Sequence, residues 1–407
     1  MLSERTKKIL IVAGFVASVI GIGTALYFMF LAPSTTTTPT TETNETPSNI
    51  GGLPTTGLGQ PTVGTTEGET ILPEASEVAH GGLTETTMLT AAAVTDVALS
   101  SDGKSMNYYD QSDNRFYTIA SNGTVTKLSN KQFPDVEDTA WNNDGSKAVI
   151  EFPDGSNIVY NFTDETQVTL PQHWEDFEFS PNQDQIIAKS ITVDSDSSML
   201  VVSNEDGSQT QAVQALGNNA DKVQINPSPT DQIIAFSDTA GDQGGFGQKM
   251  IYPIGKNQEN FKGLTVEGLG FESLWSPRGD ILLYSTYSSY SDYKPLLWVV
   301  DGSVNSIGDN RRSAGLNTWV DKCVFAGNDV IYCGIPQSLE TNAGMQRTLY
   351  KKNPDDLYKI DLSTGRSSLI ARPAEDAAME NLQVTDDGSL LYFTNAIDGR
   401  LGYIKLK

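Results

Sequence analysis

The chain has 407 residues and a formal net charge of −24 at pH 7, and it contains only two histidines and two cysteines. So acidic a protein repels phosphate, which argues against nucleic acid and anionic lipid as ligands and leaves basic partners or divalent cations. Its length is ample for a large buried core.

The first 31 residues predict a membrane anchor. Residues 1–8 form a short basic stub, and residues 9–31 are uncharged and apolar for long enough to cross a bilayer as a helix. The first Lys or Arg after this run is Lys104, so the asymmetry of basic residues predicts a cytoplasmic N-terminus and an exported remainder. The alternative is a cleaved secretory signal, but the stretch before Pro33 lacks a small-x-small cleavage site. We predict an uncleaved, single-pass signal anchor, with the rest of the chain at the cell surface or in the periplasm.

Small residues recur every fourth position within the predicted span. Such stripes allow close packing of two membrane helices, so a dimer through this face is one interpretation. The other is that small residues are common in membrane helices for unrelated reasons. The residues concerned are Ala13, Ala17, Gly21 and Ala25.

Residues 32–82 are rich in Thr, Pro and Gly and contain almost no aliphatic clusters. A segment of this composition buries too little apolar surface to offset the entropy of ordering. We expect a disordered linker here, followed by a folded domain at residues 83–407.

This folded domain repeats one unit, in which a short strand ends in an apolar residue, a polar turn follows, and two further strands come next. Seven copies at a spacing of about 40 to 60 residues are typical of propeller blades. We therefore predict an all-β fold, a seven-bladed β-propeller, with six or eight blades as the alternatives. The strand-ending residues are Leu99, Trp141, Phe179, Ile225, Trp275, Phe325 and Val384.

Two motifs carry a resemblance to a known family. The turn Ser276-Pro277-Arg278-Gly279 before an apolar run, and the strand and turn from Leu357 to Gly365, resemble the repeats of bacterial TolB-type and WD-repeat-like propellers. The resemblance covers residues 83–407 and implies the fold, but little about activity. The Trp-Asp dipeptide that closes true WD blades is absent.

Two details of the blades are also predicted. In the blade from Leu274 to Gly308 we expect a weak fourth strand directly after the turn Asp301-Gly302. The last blade has no fourth strand of its own, so we expect the segment Glu85 to Thr90 to supply it and close the ring.

The two cysteines are placed for a bridge. If Ala326 pairs with Val330 across a hairpin, Cys323 lies directly opposite Cys333. Because we expect an exported domain, we predict a disulfide rather than two buried thiols.

Neither catalysis nor a cofactor is indicated. The sequence lacks a GxSxG elbow, an HExxH motif and a phosphate loop, and neither histidine lies near a cysteine. We therefore name no catalytic, cofactor-binding or metal-binding residue.

Binding would occur in the long loops between the second and third strands, which gather at one mouth of a propeller. Two of them run from Gly334 to Asp355 and from Thr239 to Gln248, and another carries closely spaced tyrosines among serines. The alternative is that Tyr284 ends a core strand and the other tyrosines pack on neighbouring loops. The candidate ligand-binding residues are Tyr287, Tyr290 and Tyr293.

Two functions remain. The first is a membrane-tethered, non-enzymatic scaffold of the cell envelope that binds a protein, peptide or glycan. The second is an exported glycan lyase or hydrolase that uses carboxylates of the central channel. Charged side chains that converge in the channel would favour the enzyme.

Overall fold

The computed structural model describes residues 74–240 and 247–407; the predicted span at 9–31, its small-residue stripe and most of the predicted linker lie outside the described residues. Within these ranges the chain forms seven β-sheets that follow one another in sequence. No helix in this described part is long and apolar enough to span a membrane.

Each sheet is one blade, and its strands run in order from the centre of the disc to the rim. The innermost strands are β3 (Thr95–Leu99), β7 (Asp138–Trp141), β11 (Trp174–Phe179), β15 (Val223–Ile225), β19 (Leu269–Trp275), β23 (Cys323–Phe325) and β27 (Met379–Val384). The second strands are β4 (Met106–Asp110), β8 (Lys147–Glu151), β12 (Gln185–Ser190), β16 (Ile233–Ser237), β20 (Ile281–Tyr287), β24 (Val330–Pro336) and β28 (Leu390–Asn395).

The third strand of each blade is buried or half-buried along most of its length, whereas most of the outermost strands are largely exposed. The third strands are β5 (Arg115–Ile119), β9 (Asn157–Asn161), β13 (Met199–Asn204), β17 (Gln248–Gly255), β21 (Pro295–Asp301), β25 (Asp355–Asp361) and β29 (Leu401–Lys405). The outermost strands of blades one to six are β6 (Val125–Lys127), β10 (Thr166–Leu170), β14 (Gln211–Ala215), β18 (Leu264–Glu267), β22 (Arg312–Ser313) and β26 (Arg366–Pro373). Short 3₁₀ turns lie at Ser195–Ser197, Gly217–Lys222, Ser289–Ser291, Val320–Lys322 and Ala343–Met345, and one α-helical turn, α1, at Arg347–Tyr350.

The core lies between the blades. Seven apolar clusters each join two adjacent blades; Phe236 of blade four, for example, stacks on Trp275 of blade five. The last of these clusters packs Tyr392 and Tyr403 of blade seven against Met106 and Tyr108 of blade one. The sheets therefore close into a ring, and the prediction of a seven-bladed β-propeller is confirmed.

The repeated turn explains why the sequence period is visible. In blade five, Ser276 Oγ accepts a hydrogen bond from the Ile281 amide at 3.0 Å, and Gly279 adopts a φ of +71°. Glycine adopts this left-handed conformation without the steric cost that other residues incur. The polar residues of each turn, with a glycine in five of the seven, thus fix where the second strand begins.

The predicted fourth strand of blade five is wrong. Residues 303–308 form turns, in which the Ser306 amide donates to the Ser303 carbonyl at 2.9 Å, and the fourth strand is β22, which pairs with Trp298 and Val299. The physical reason is packing: Ile307 is fully buried in the cluster shared with blade four, so its segment folds inward as a loop.

The predicted closure of the ring is confirmed. Strand β2 (Thr87–Met88) pairs antiparallel with β29, with Met88 opposite Gly402, and so completes blade seven. A further strand, β1 (Gly82–Thr84), adds to blade six parallel to β26, which the sequence did not indicate. This N-terminal strap therefore crosses the rims of the last two blades.

The cysteine prediction is confirmed as well. Cys323 and Cys333 are directly opposite each other on β23 and β24, with their Cα atoms 4.1 Å apart, and they form a disulfide.

Candidate ligand site at the mouth of the central channel

The innermost strands all begin at the same face of the disc. The start of each pairs with the end of its second strand, as Trp174 does with Ser190 and Leu269 with Tyr287. The connections between second and third strands, where we expected binding, therefore surround the start of the innermost strands.

One position near this face is polar in every blade. It lies three residues before the strand-ending apolar residue, and in four blades it is acidic. Aligning the seven repeats position by position reveals it, whereas the apolar residues and the turns alone do not. The residues are Asp96, Asp138, Asp176, Lys222, Glu272, Lys322 and Asn381.

The backbone is irregular at this level in alternate blades. Pairing of the innermost and second strands shifts register in blades one, three, five and seven. At each shift one residue has a left-handed φ: Asp96 (53°), Asp176 (54°), Gly270 (68°) and Asn381 (51°). Bulges of this kind redirect side chains and often lie beside functional sites, and the left-handed conformation is costly for residues other than glycine.

A cavity of about 510 Å³ opens among the innermost strands of blades two to five, and we call it the channel mouth. Its cationic lining residues are Lys189 and Lys222, and Phe177, Phe236 and Phe271 add aromatic surface. Six carboxylates line it: Asp138, Asp176, Glu178, Asp221, Asp238 and Glu272. Two cavities nearer the rim have volumes of about 450 and 680 Å³. Each is lined by a single carboxylate, so both have fewer ionisable groups than the channel mouth.

Some of these carboxylates are bound by cations of the same chain. Lys189 Nζ lies 2.5 Å from Asp176, and Lys249 Nζ lies 2.6 Å from Asp238. The guanidinium of Arg347 donates to both carboxylate oxygens of Glu272 at 3.0 Å. The mouth therefore already shows how it holds an ammonium or a guanidinium group.

Other carboxylates lack such a partner. Within residues 74–240 and 247–407, no Lys or Arg forms an ion pair with Asp138, Glu151 or Glu178. Asp138 and Glu151 are directly opposite each other on β7 and β8, an arrangement in which like charges repel. Blades two and three thus carry uncompensated negative charge.

The repulsion is visible in the pKa values. Glu178 is exposed in the channel, although its carboxyl group is closely surrounded by protein; desolvation, and then repulsion by Asp138 and Asp176, raise its pKa to about 7. Desolvation, followed by the same two aspartates, raises the pKa of Glu151 to about 7. The pKa of Asp96 is raised to about 6, chiefly by desolvation and further by Asp138. These carboxyl groups exchange protons near neutral pH, and a bound cation would favour their ionised form.

In the part of the chain that the structure describes, no three His, Cys, Asp or Glu side chains are arranged to hold a metal ion. His80 lies in the N-terminal strap, with Nδ1 2.7 Å from the Val78 carbonyl oxygen.

Of the predicted tyrosines, Tyr287 lies beside the mouth, whose lining includes Gly270. Tyr287 packs against Gly270 and Gly344, Tyr290 is 77% exposed with its ring centroid 6.2 Å from that of Trp298, and the Tyr293 carbonyl accepts from the Gly344 amide at 2.8 Å. Tyr284 is a core residue, as the alternative interpretation had it. A ligand role for the other three stays a prediction.

The long loops differ in how far the structure describes them. Most of the Gly-rich loop from Thr239 to Gln248 lies outside the described residues. The other long loop begins after Pro336 and ends before Asp355, and we call residues 337–354 the blade-six insertion.

Comparisons with known proteins support the fold and nothing beyond it. No protein-family model matches this sequence, and no curated protein matches it. Among solved structures, an oligogalacturonate lyase in complex with manganese is similar over 79% of this chain and 93% of that chain, with a TM-score of 0.57 and 13% identity. An oligogalacturonate lyase from Vibrio parahaemolyticus covers the same shares, with a TM-score of 0.52 and 8% identity. The β-propeller domain of Cps50 (Swd1) from Myceliophteria thermophila is similar over 79% of this chain and 100% of that domain, with a TM-score of 0.52 and 13% identity. Propellers serve unrelated functions, and the sequence identities are low. These similarities therefore support the β-propeller fold and do not extend to a function.

Proposed function

We propose that this protein is a membrane-tethered, extracytoplasmic binding scaffold whose channel mouth takes up a Lys- or Arg-rich peptide segment of another envelope protein. The single observation that carries the proposal is the group of carboxylates in blades two and three that lack a cation, beside equivalent carboxylates that hold one. We also propose that the chain is a bacterial propeller of the TolB-type or WD-repeat-like kind.

Charge and shape both support this ligand class. Asp138 and Glu178 share an open cavity with Asp176, so a cationic group entering it would relieve their repulsion and form charge-assisted hydrogen bonds. Phe177 and Phe271 line the same cavity and offer aromatic faces to a lysine or arginine side chain. The net charge of −24 would also speed the encounter with a basic partner.

One experiment tests the ligand class. Binding of a tetralysine peptide to the full-length chain in detergent should weaken about tenfold or more in an Asp138→Asn/Glu178→Gln variant, since two charge-assisted contacts are lost. A Glu165→Gln variant is the control, because this exposed residue lies in the turn between β9 and β10, at the opposite face. Equal weakening in both variants, or none in either, would contradict the proposal.

A second candidate, an exported enzyme that cleaves glycans, is favoured by the convergence of charged side chains in the channel that we expected of such an enzyme. Glu178, with a pKa of about 7, lies beside Asp138 and Asp176, so a protonated acid and ionised carboxylates occupy one cavity. Glycoside cleavage uses such a pair, with the protonated group as general acid. Release of shorter fragments from acidic or neutral polysaccharides, abolished by Glu178→Gln, would establish this function instead.

The tether is tested separately. With residues 9–31 as the anchor, protease added to spheroplasts should release the propeller from the membrane, because the charge asymmetry places it outside. A propeller that stays intact in spheroplasts, and is cut only after lysis, would show the opposite orientation.

A further inference from the structure

The blade-six insertion crosses the disc toward the channel. It connects β24 to β25, but its cations contact the innermost strands of other blades: Arg347 binds Glu272 of blade five, and Lys351 lies 3.7 Å from Glu380 of blade seven. Arg347 also pairs with Asp321, just before β23. The insertion therefore reaches the innermost strands of blades five and seven, on one side of the channel mouth.

Polar contacts hold most of the insertion in place. The amides of Asn342 and Gly344 donate to the carbonyls of Asp292 and Tyr293 at 2.9 and 2.8 Å, and the Arg347 guanidinium lies 5.5 Å from the Trp319 ring centroid.

Few apolar side chains of the insertion are buried. Ala343 is, but Met345 and Leu349 are 51% and 69% exposed. A segment that buries so little apolar surface belongs to the parts of a fold that open most readily.

We infer that the blade-six insertion is a gate at this side of the channel mouth, closed by Arg347, which binds Glu272 and Asp321 until a cationic ligand displaces it. The inference rests on the proposed function, because it makes Arg347 an internal competitor for the same class of ligand. Asp138 and Glu178 lie on the open side of the mouth, where the first contact with a basic segment would form. Glu272 lines the same cavity and becomes available to the ligand when Arg347 leaves.

The first test measures affinity for the tetralysine peptide in the full-length chain. If the closed gate leaves the whole site available about a tenth of the time, Arg347→Ala should bind the peptide about tenfold tighter than the unmodified chain. Arg347→Lys keeps the charge but loses the paired hydrogen bonds, so its affinity should lie between. Arg366→Ala is the matched control: it also removes one exposed positive charge, but at the far end of β25 from the insertion, and should change affinity less than about twofold.

The second test is hydrogen exchange followed by mass spectrometry. Adding the peptide, or replacing Arg347 with Ala, should speed exchange across residues 337–354 about tenfold, while exchange in β24 and β25 stays unchanged. Faster exchange throughout blade six would instead indicate unfolding of the blade and would overturn the gate.

The outcomes separate the two proposals. If the unmodified chain binds the peptide and Arg347→Ala binds no tighter than Arg366→Ala, the insertion is a fixed brace; the gate is overturned and the proposed function stands. If neither protein binds the peptide, the proposed function falls. Exchange in Arg347→Ala then decides the gate, since unchanged protection of residues 337–354 overturns it and faster exchange there supports a segment held closed by Arg347.

Discussion

Lys322 and Asp355 form an ion pair, Nζ to Oδ2 at 2.8 Å, in a part of blade six that water hardly reaches, with the two side chains 4% and 0% exposed. Oδ2 of Asp355 also accepts a hydrogen bond from the Met379 amide at 2.6 Å. This bond connects blade six to the innermost strand of blade seven. Desolvation outweighs the attraction of Lys322 and raises the pKa of Asp355 to about 6. The pair therefore holds two blades together but adds little net stability.

Replacing one partner of this pair should cost more stability than replacing both. We expect Asp355→Asn to lower the free energy of unfolding by about 3–5 kcal/mol, because Lys322 is left buried without its counter-charge. The double variant Lys322→Met/Asp355→Asn should be clearly more stable than that single variant, since no buried charge remains. Denaturant unfolding of the three proteins measures the difference. A double variant as unstable as the single one would show that packing, not charge, dominates here.

Glu178 in the channel mouth and Glu151 beside it predict that stability changes with pH in the direction opposite to ordinary acid denaturation. The folded protein raises the pKa values of Glu151 and Glu178 from 4.5 to about 7, so it holds protons that the unfolded chain has released. Stability should therefore rise as the pH falls from 8 to 6. Carboxyl groups with a lowered pKa, such as Asp102, act in the opposite direction only at still lower pH, near their ordinary value of 3.8.

A single substitution isolates this effect. Glu178→Gln should raise stability at pH 8 by about 1 kcal/mol, a value reduced because the side chain is exposed in the channel, and should flatten the dependence of stability on pH between 6 and 8. Glu165→Gln is the control and should leave the slope unchanged. Thermal melts at pH 6, 7 and 8 provide the measurement, and a melting temperature that rises with pH in this window would contradict the prediction.

Local signals explain why so much of the fold was predictable. Turn residues such as Ser276 and Gly279 determine the turn conformation locally. The pairing of Cys323 with Cys333 follows from the register of a single hairpin. The parallel pairing of β1 with β26 was not predictable, because it joins segments nearly 300 residues apart through backbone hydrogen bonds that place little demand on side-chain identity.

The candidate site was harder to predict. Its carboxylates come from different blades, and each appears in sequence as an ordinary polar residue at the start of a strand. Only their alignment, blade against blade, reveals that Asp96, Asp138 and Asp176 occupy one level. The contact of Arg347 with Glu272 joins residues 75 positions apart, and no local pattern predicts it.

The N-terminal strap should contribute strongly to stability. A chain that begins at Ala91 loses β1, β2 and the backbone bonds of Leu89 to Leu401 and Ala79 to Lys405, and leaves the edge of β29 exposed. Several hydrogen bonds at about 1 kcal/mol each predict a loss of roughly 3–6 kcal/mol. A chain that begins at Glu74 keeps the strap and serves as the control. Equal melting temperatures for the two chains would rule out a stabilising latch.

The disulfide should stabilise the same blade. It closes a short loop, with the two cysteines ten positions apart, so replacing both with alanine should cost about 2–3 kcal/mol. Peptide mapping without reductant should recover one linked peptide from protein prepared from the envelope. Two free thiols in that sample would show that the bridge does not form in the cell, whatever the stability of the double variant.

The three predicted loop tyrosines give the sharpest test of where a partner binds. Replacing Tyr287, Tyr290 and Tyr293 together with serine should abolish capture of the partner in co-precipitation from envelope extracts, because aromatic rings offer broad contact area at low entropic cost.

Tyr287 also packs between Gly270 and Gly344, so its loss alone could loosen the blade-six insertion. Tyr290, which is 77% exposed, separates the two effects: Tyr290→Ser removes a binding surface with little change in packing. If Tyr290→Ser captures the partner normally while the triple variant fails with an unchanged melting temperature, the tyrosines act by positioning the insertion. If the triple variant captures it as well as the unmodified chain does, the partner contacts the carboxylates of the mouth without them.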